Sequence, residues 1–218
     1  LLVTNVAKSY GDTLVLQNAT FTINHGDRVG LVGANGSGKS TLLRIVAGEI
    51  DADAGSVRME PPAQLGYLAQ EMGEEVRSIA QLIVAARGNL DIAHHRMRAL
   101  EVEMAAPALT ADALDALLAD YAHATADFER AGGYEMWEAD AILQGLGLGD
   151  IDRDRSAATL SGGEKVRLAL AILLLQNPDY LLLDEPTNHL DFAALHWLEE
   201  FLASRTGALL VVSHDRQF

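Results

Sequence analysis

Nine consecutive residues, Gly33-Ala34-Asn35-Gly36-Ser37-Gly38-Lys39-Ser40-Thr41, have the types and spacing that grip a phosphate chain. The glycines let the backbone turn with positive φ and bring the N–H groups of Asn35, Gly36, Ser37 and Gly38 close to an anion. Lys39 supplies a mobile positive charge for β- and γ-phosphates. Ser40 offers a hydroxyl to Mg²⁺, and Thr41 a hydrogen bond to a further phosphate oxygen. The bare pattern arises by chance in roughly one chain in a hundred of this size. A Gly-rich turn capping an ordinary helix uses the same residues. Other parts of the chain must decide between the two.

Asp184 and Glu185 follow the apolar run Tyr180-Leu181-Leu182-Leu183. Such a run reads as a strand buried on both faces, typical of a parallel sheet. Acids at the carboxyl end of that strand stand where open α/β sheets bind ligands. Asp184 suits Mg²⁺, directly or through water. Glu185 is able to take a proton from an attacking water. Two solvated acids capping a strand would look the same. Leu160-Ser161-Gly162-Gly163-Glu164 precedes a strongly helical stretch, Lys165 to Leu175. Ser161 is a good N-cap. The two glycines leave a bare helix start with N–H groups available to an anion, and no partner is evident within the chain. A simply capped helix explains Ser161 but not both glycines. Three residues stand on weaker ground. Tyr10 is either a turn aromatic or a face for adenine to stack on. Gln70 follows a short strand. His214 follows the buried run Ala208 to Val212 and is either a donor to phosphate or a loop histidine.

The elements that must position these residues read as follows. Leu1 to Val6 and Val15 to Ile23 alternate apolar and polar residues, as half-buried strands do. Gly11-Asp12 and Gly26-Asp27 mark turns. Val29 to Val32 reads as a buried strand entering the phosphate loop, and Leu42 to Ala47 as a helix leaving it, ended by Gly48. Ser56 to Met59 and Gln64 to Leu68 are short strands around Pro61-Pro62. From Ser78 the pattern turns helical, with Leu82, Ile83, Ala86 and Leu90, then Ala93, Met97, Leu100 and Met104 at steps of three and four. Pro107 breaks it. Thr110 caps a second helix carrying Leu114, Leu117, Leu118, Tyr121 and Phe128, stopped by Gly132-Gly133. Two amphipathic helices joined by a short turn form an antiparallel hairpin, either packed on the core or projecting as an arm. Adjacent His94 and His95 do not share a helix face, so the basic cluster with Arg96 and Arg98 reads as solvated rather than as a metal site. Trp137 to Leu148 is a further short helix. A turn at Pro186 to Asp191 leads to a helix with Leu195, Leu198 and Leu202.

The 218 residues suit one domain, or one with an insertion. A net charge of −15 opposes broad nonspecific attachment to nucleic acid or anionic membrane. With no cysteine there are no disulfides or thiolate metal sites, which suits a reducing, cytoplasmic setting. No apolar run approaches the roughly 18 residues of a membrane span. The chain starts without Met and stops just after a strand, so a fragment of a longer protein is expected.

Taken together, these residues resemble the ATP-binding-cassette (ABC) ATPase family. Walker A is Gly33 to Thr41, the Q-loop Gln70, the signature Leu160 to Glu164, Walker B Tyr180 to Glu185, the D-loop Leu190-Asp191 and the switch histidine His214. The resemblance implies an α/β fold: a P-loop nucleotide-binding domain with an antiparallel β subdomain and a helical subdomain carrying a hairpin arm. Residues 1–77 and 134–218 would form the nucleotide-binding domain, and 78–133 the inserted arm. The subclass resembles ABC-F proteins, which carry two cassettes on one chain and act on ribosomes. The wording Glu185-Pro186-Thr187-Asn188-His189-Leu190-Asp191 is typical of that group. So are Glu164 closing the signature and the 91 residues between Gln70 and Ser161.

The implied mechanism is a head-to-tail sandwich. ATP on one Walker A is closed over by Ser161, Gly162 and Gly163 of a second cassette, in the same full-length chain or a homodimer. Ser40 and Asp184 would organise Mg²⁺ with Gln70 nearby. Glu185 would be the general base, His214 would steady the γ-phosphate, Asp191 would link the two sites, and Tyr10 would stack on adenine. An ABC-F ATPase partnered by the ribosome is the leading expectation. The alternatives are the energising subunit of a membrane transporter and a chain that uses ATP as a structural clamp.

Overall fold

A computed structural model of the chain describes residues 1–68, 76–105, 110–130 and 139–213. Its centre is a parallel sheet of four strands, β3 (Arg28–Leu31), β5 (Leu65–Leu68), β6 (Tyr180–Asp184) and β7 (Ala208–Val212), in the spatial order β3-β7-β6-β5. Side chains alternate across a strand, and here the alternation feeds two cores. Leu181, Leu183, Leu209 and Val211 face one side. Leu182, Ala208, Leu210 and Val212 face the other. This is why β6 and β7 are continuously apolar: neither face meets water.

The first side is covered by helices: α4 (Ala139–Gly145), α5 (Gly162–Gln176), α6 (Phe192–Ser204) and the opening turns of α2 (Ile79–Met104). The second side holds α1 (Lys39–Val46) and an antiparallel sheet, β2-β1-β4, made of β1 (Leu2–Tyr10), β2 (Thr13–Thr22) and β4 (Ala54–Arg58). Leu43 of α1 is fully buried, and truncating such a leucine to alanine costs about 2–5 kcal/mol.

Parallel pairing puts the carboxyl ends of all four strands on one edge. Leu31 lies opposite Val212, Val212 opposite Asp184, and Leu183 opposite Leu68. Every loop expected to do chemistry next to this sheet therefore leaves from the same edge.

One expectation changes. Val29 to Val32 is not a buried strand. β3 is the sheet's edge, Val29 and Leu31 are half-buried, and Val32 is 67% exposed. The apolar run reports pairing on one side only. Both short strands expected around Pro61-Pro62 form, β4 in the antiparallel sheet and β5 in the parallel one.

α2 and α3 (Ala111–Arg130) pack against each other, with Met97, Leu100 and Ala124 as a small core of their own and Leu117, Tyr121 and Phe128 around it. His94 stacks on Phe128 at 5.6 Å between ring centres. The root of α2 is a different matter. Ile79, Leu82 and Ile83 are buried in the helical core beside α5. Ser78 and Gln81 form a capping box there. Ile79 N–H donates to Arg155 O (3.1 Å), and Ala157 N–H to Arg77 O (3.0 Å). The hairpin is thus strapped at its base to the segment that runs into Ser161.

Candidate phosphate-binding site

The loop after β3 turns through Gly36 (φ 77°) and Gly38 (φ 89°), both in the left-handed region. Gly38 is doubly required. A Cβ there would stand 2.9 Å from Leu16 Cδ2 and from Val15 Cγ1, because the loop rests against β2. Gly38 is also the N-cap of α1, and no side chain caps that helix. The first N–H groups of α1 therefore remain available to an anion, with the positive end of the helix dipole behind them. Lys39 is 8% exposed, and its Nζ donates to Gly33 O (2.9 Å) and Ala34 O (3.0 Å). The ammonium is held inside the loop's curve, where the loop's own carbonyls neutralise part of its charge. A phosphate would compete with those carbonyls for the same three protons.

An open cleft of about 440 Å³ joins this loop to residues far away in sequence. Its wall comprises Tyr10, Val15, Asn35, Gly36, Gly38, Lys39, Ser40, Thr41 and Glu185. Tyr10 ends β1 and is 50% exposed, with Lys8 Nζ 5.8 Å from its ring centre. Lys8 is itself paired with Asp53 at 2.7 Å, and that hydrogen bond holds its ammonium above the ordinary value. A half-exposed aromatic in the same cleft as a phosphate loop offers a flat face on which a base could stack. Val15 escaped the sequence reading; its alternating neighbours mark a strand but nothing about a ligand.

Glu185 reaches the cleft from beyond β6. Its backbone is left-handed (φ 50°, ψ 54°), and its N–H donates to Val212 O at 2.9 Å. Asn188 Nδ2 donates to Glu185 Oε2 at 3.0 Å. Asp184 is placed differently. It is 3% exposed and does not line the cleft. Tyr67 on β5 is close enough to feel its charge: burial first, then Asp184, push the phenol up to about 12, so it stays protonated. A hydroxyl at a helix start (Ser40) and a buried carboxylate at the neighbouring strand end (Asp184) are hard oxygen donors. They fit Mg²⁺, which keeps several waters and takes phosphate oxygens as its other ligands. Gln70 and His214, expected at the same edge, lie outside the described residues.

Ser161, Gly162, Gly163 and Asp191 are not part of this cleft. Ser161 and Gly162 are exposed, as a surface meant for another body would be. The expectation that no partner lies within the chain is corrected for Ser161 alone. Ser161 N–H and Oγ–H both donate to Glu164 Oε2 (2.8 and 2.7 Å), and Glu164 N–H donates to Ser161 Oγ at 3.3 Å. This is a capping box, foreshadowed by the Ser-x-x-Glu spacing, a signal the sequence reading did not use. The Ser161 hydroxyl, then its N–H, hold the Glu164 carboxyl below its ordinary value. Asp191 caps α6 through Ala194 N–H at 2.8 Å. A second cleft, about 660 Å³, is lined by Glu164 with Asp140, Asp150, Asp152, Arg153 and Arg155 among others.

The chain is similar to known proteins over most of its length. The family model described as "ABC transporter" matches residues 16–188. The chain is 44% identical over 220 residues to "Tylosin resistance ATP-binding protein TlrC" of Streptomyces fradiae, covering 98% of this chain and 39% of that protein. It is 37% identical over 216 residues to "Energy-dependent translational throttle protein EttA" of Mycobacterium tuberculosis, covering 98% and 37%. It is 34% identical over 223 residues to "ABC transporter F family member 5" of Arabidopsis thaliana, covering 98% and 31%. It thus spans less than two fifths of each of these relatives. Among solved structures, the "Structure of ATP binding subunit of ABC transporter" superposes with a TM-score of 0.65 at 21% identity, over 98% of this chain and 79% of the other. The chain belongs to the ABC ATPase family, and an ABC-F protein is among the relatives it resembles.

Proposed function

We propose that this cassette binds and hydrolyses ATP, closes head-to-tail with a second cassette, and through that closure acts on the ribosome during translation. The observation that carries the reading is the single cleft in which Tyr10, the Asn35–Thr41 loop and Glu185 meet. Adenine stacks on Tyr10. The phosphates lie along the loop N–H groups, and Lys39 exchanges its two carbonyl partners for β- and γ-phosphate oxygens. Ser40 and Asp184 would hold Mg²⁺, which would supply neutralisation of the phosphate charge. Glu185 accepts a proton from the attacking water while the new P–O bond forms. The bond between the γ-phosphorus and the bridging oxygen breaks, and ADP leaves with the electron pair. His214 steadies the γ-phosphate. Positioning and charge neutralisation supply most of the acceleration in such transfers.

The far side of the triphosphate is sealed by Ser161, Gly162 and Gly163 of the second cassette, with Asp191 linking the two sites. Residues 78–133 act as the inserted arm and 1–77 with 134–218 as the nucleotide-binding domain. The translational role is supported by the relative named as a translational throttle and by the long hairpin between β5 and Ser161. A transporter role is the second reading, favoured by the name of the matching family model. Among the described residues no helix is long and apolar enough to cross a membrane.

Glu185→Gln tests the chemistry. ATP binding should stay within about twofold while turnover falls by about 100-fold or more, trapping the closed two-cassette form in size-exclusion chromatography. Hydrolysis at the wild-type rate would refute it. Co-sedimentation of that variant with ribosomes, with and without ATP, separates the two roles. ATP-dependent pelleting supports translation, and its absence favours the transporter.

A further inference from the structure

Glu185 is held in an unusual way. It is not glycine, yet its backbone is left-handed, a conformation that costs energy in a residue with a Cβ. The next residue, Pro186, is buried and opens the short turn Pro186–His189. Asn188 stands at the third position of that turn and grips Glu185 twice. Its backbone N–H donates to Glu185 O at 3.3 Å, and its Nδ2 donates to Glu185 Oε2 at 3.0 Å. A carboxylate only accepts hydrogen bonds, so the amide must present its NH₂ rather than its oxygen.

We propose that Asn188 is a positioning residue for Glu185, aiming its carboxylate into the cleft for proton transfer from water. The inference rests on the reading of Glu185 as the base. Glu185 is half-buried, and its strained backbone sets only where the side chain begins. One oxygen, Oε2, is anchored by the amide, and that fixes the plane and direction of the carboxylate. An amide is suited to this task because it does not ionise. It orients the base without competing for the proton the base must take. Asn188 is itself exposed, and an exposed asparagine contributes little to packing. Its value therefore lies in what it holds.

The test uses the protein assembled as a two-cassette unit, with turnover measured across a range of Mg-ATP concentrations. Asn188→Ala should lower kcat roughly tenfold, the scale of one lost hydrogen bond to a charged group, with KM within about twofold. Asn188→Asp keeps the shape but faces Glu185 with an acceptor and a second negative charge, and should lower kcat further. Melting temperatures should stay within about 2 °C of wild type, which separates aim from folding. In a Glu185→Gln background, Asn188→Ala should change the residual rate by less than about twofold, because its effect travels through Glu185. Wild-type kcat in both Asn188 variants would overturn the proposal, as would an equal fold-loss in both backgrounds. If Glu185→Gln itself turned over normally, the assignment of the base would fall first, and that single variant would reveal it.

Discussion

Two helices of this molecule begin where an anion could dock, and they begin differently. α1 starts at Gly38 with no side-chain cap, a lysine folded into the loop, and no acidic residue in its first turn. α5 starts at Ser161 with a complete capping box and Glu164 in its first turn. The first is prepared to receive a phosphate by itself: donors are unspent and the nearest charge is positive. The second has already satisfied Ser161 within its own turn and presents a carboxylate where a phosphate would come. On our proposed reading, a helix start of the first kind binds, and one of the second kind closes over something already bound. To contact a phosphate, the Ser161 hydroxyl must leave Glu164, and the carboxylate must tolerate a nearby polyanion. On our proposed reading, that opposition keeps the two cassettes apart until ATP supplies enough contacts elsewhere.

The largest expected effect falls on the α1 side. Lys39→Ala removes the one charge inside the loop and should weaken ATP binding by at least about tenfold, measured by calorimetry or nucleotide fluorescence. Unchanged affinity would erase the distinction between the two helix starts. Gly38→Ala comes next. It combines a left-handed backbone with contacts at 2.9 Å from β2, and should destabilise the fold by about 1–3 kcal/mol in a urea titration while also impairing ATP binding. On the α5 side, Ser161→Ala should cost about 1 kcal/mol of stability through the lost cap and leave binding of ATP to an isolated cassette within about twofold. Glu164→Gln should sharpen the contrast. It keeps an acceptor for Ser161 but removes the charge, so the ATP-closed form should tighten by roughly two- to fivefold.

The smallest effect is on pH dependence. Glu164 is held below its ordinary value of 4.5, chiefly by the Ser161 hydroxyl. A lowered folded-state value means the cap's contribution is complete above pH 4.5 and fades as pH falls through the lowered value. Acid unfolding curves of wild type and Glu164→Gln should therefore differ at neutral pH and converge in acid. A constant gap across that range would show that the carboxylate adds nothing.

How far the sequence reached depended on the range of each interaction. The phosphate loop, the caps at Ser78 and Ser161, and the turn after Asp184 are written in residues three or four apart. The Ser161–Glu164 box was legible too, in its Ser-x-x-Glu spacing. Tyr10 was ambiguous for a physical reason: an aromatic before a turn has no meaning until β1 is laid beside the loop 25 residues later. Val29 to Val32 misled because an apolar run reports burial without saying how many neighbours the strand has.

Local chemistry by itself determined which segments could hold a phosphate, offer a carboxylate or start a helix, because dihedral preferences and i, i+3 hydrogen bonds act within a few residues. Only the tertiary structure decided that Tyr10, Lys39 and Glu185 share one wall, that Asp184 is buried, and that the hairpin is strapped to the segment before Ser161. Those outcomes follow from parallel pairing, which gathers the ends of β3, β5, β6 and β7 on one edge. Strand pairing depends on contacts more than a hundred residues apart, such as Leu65 with Tyr180, and no short window of sequence contains them.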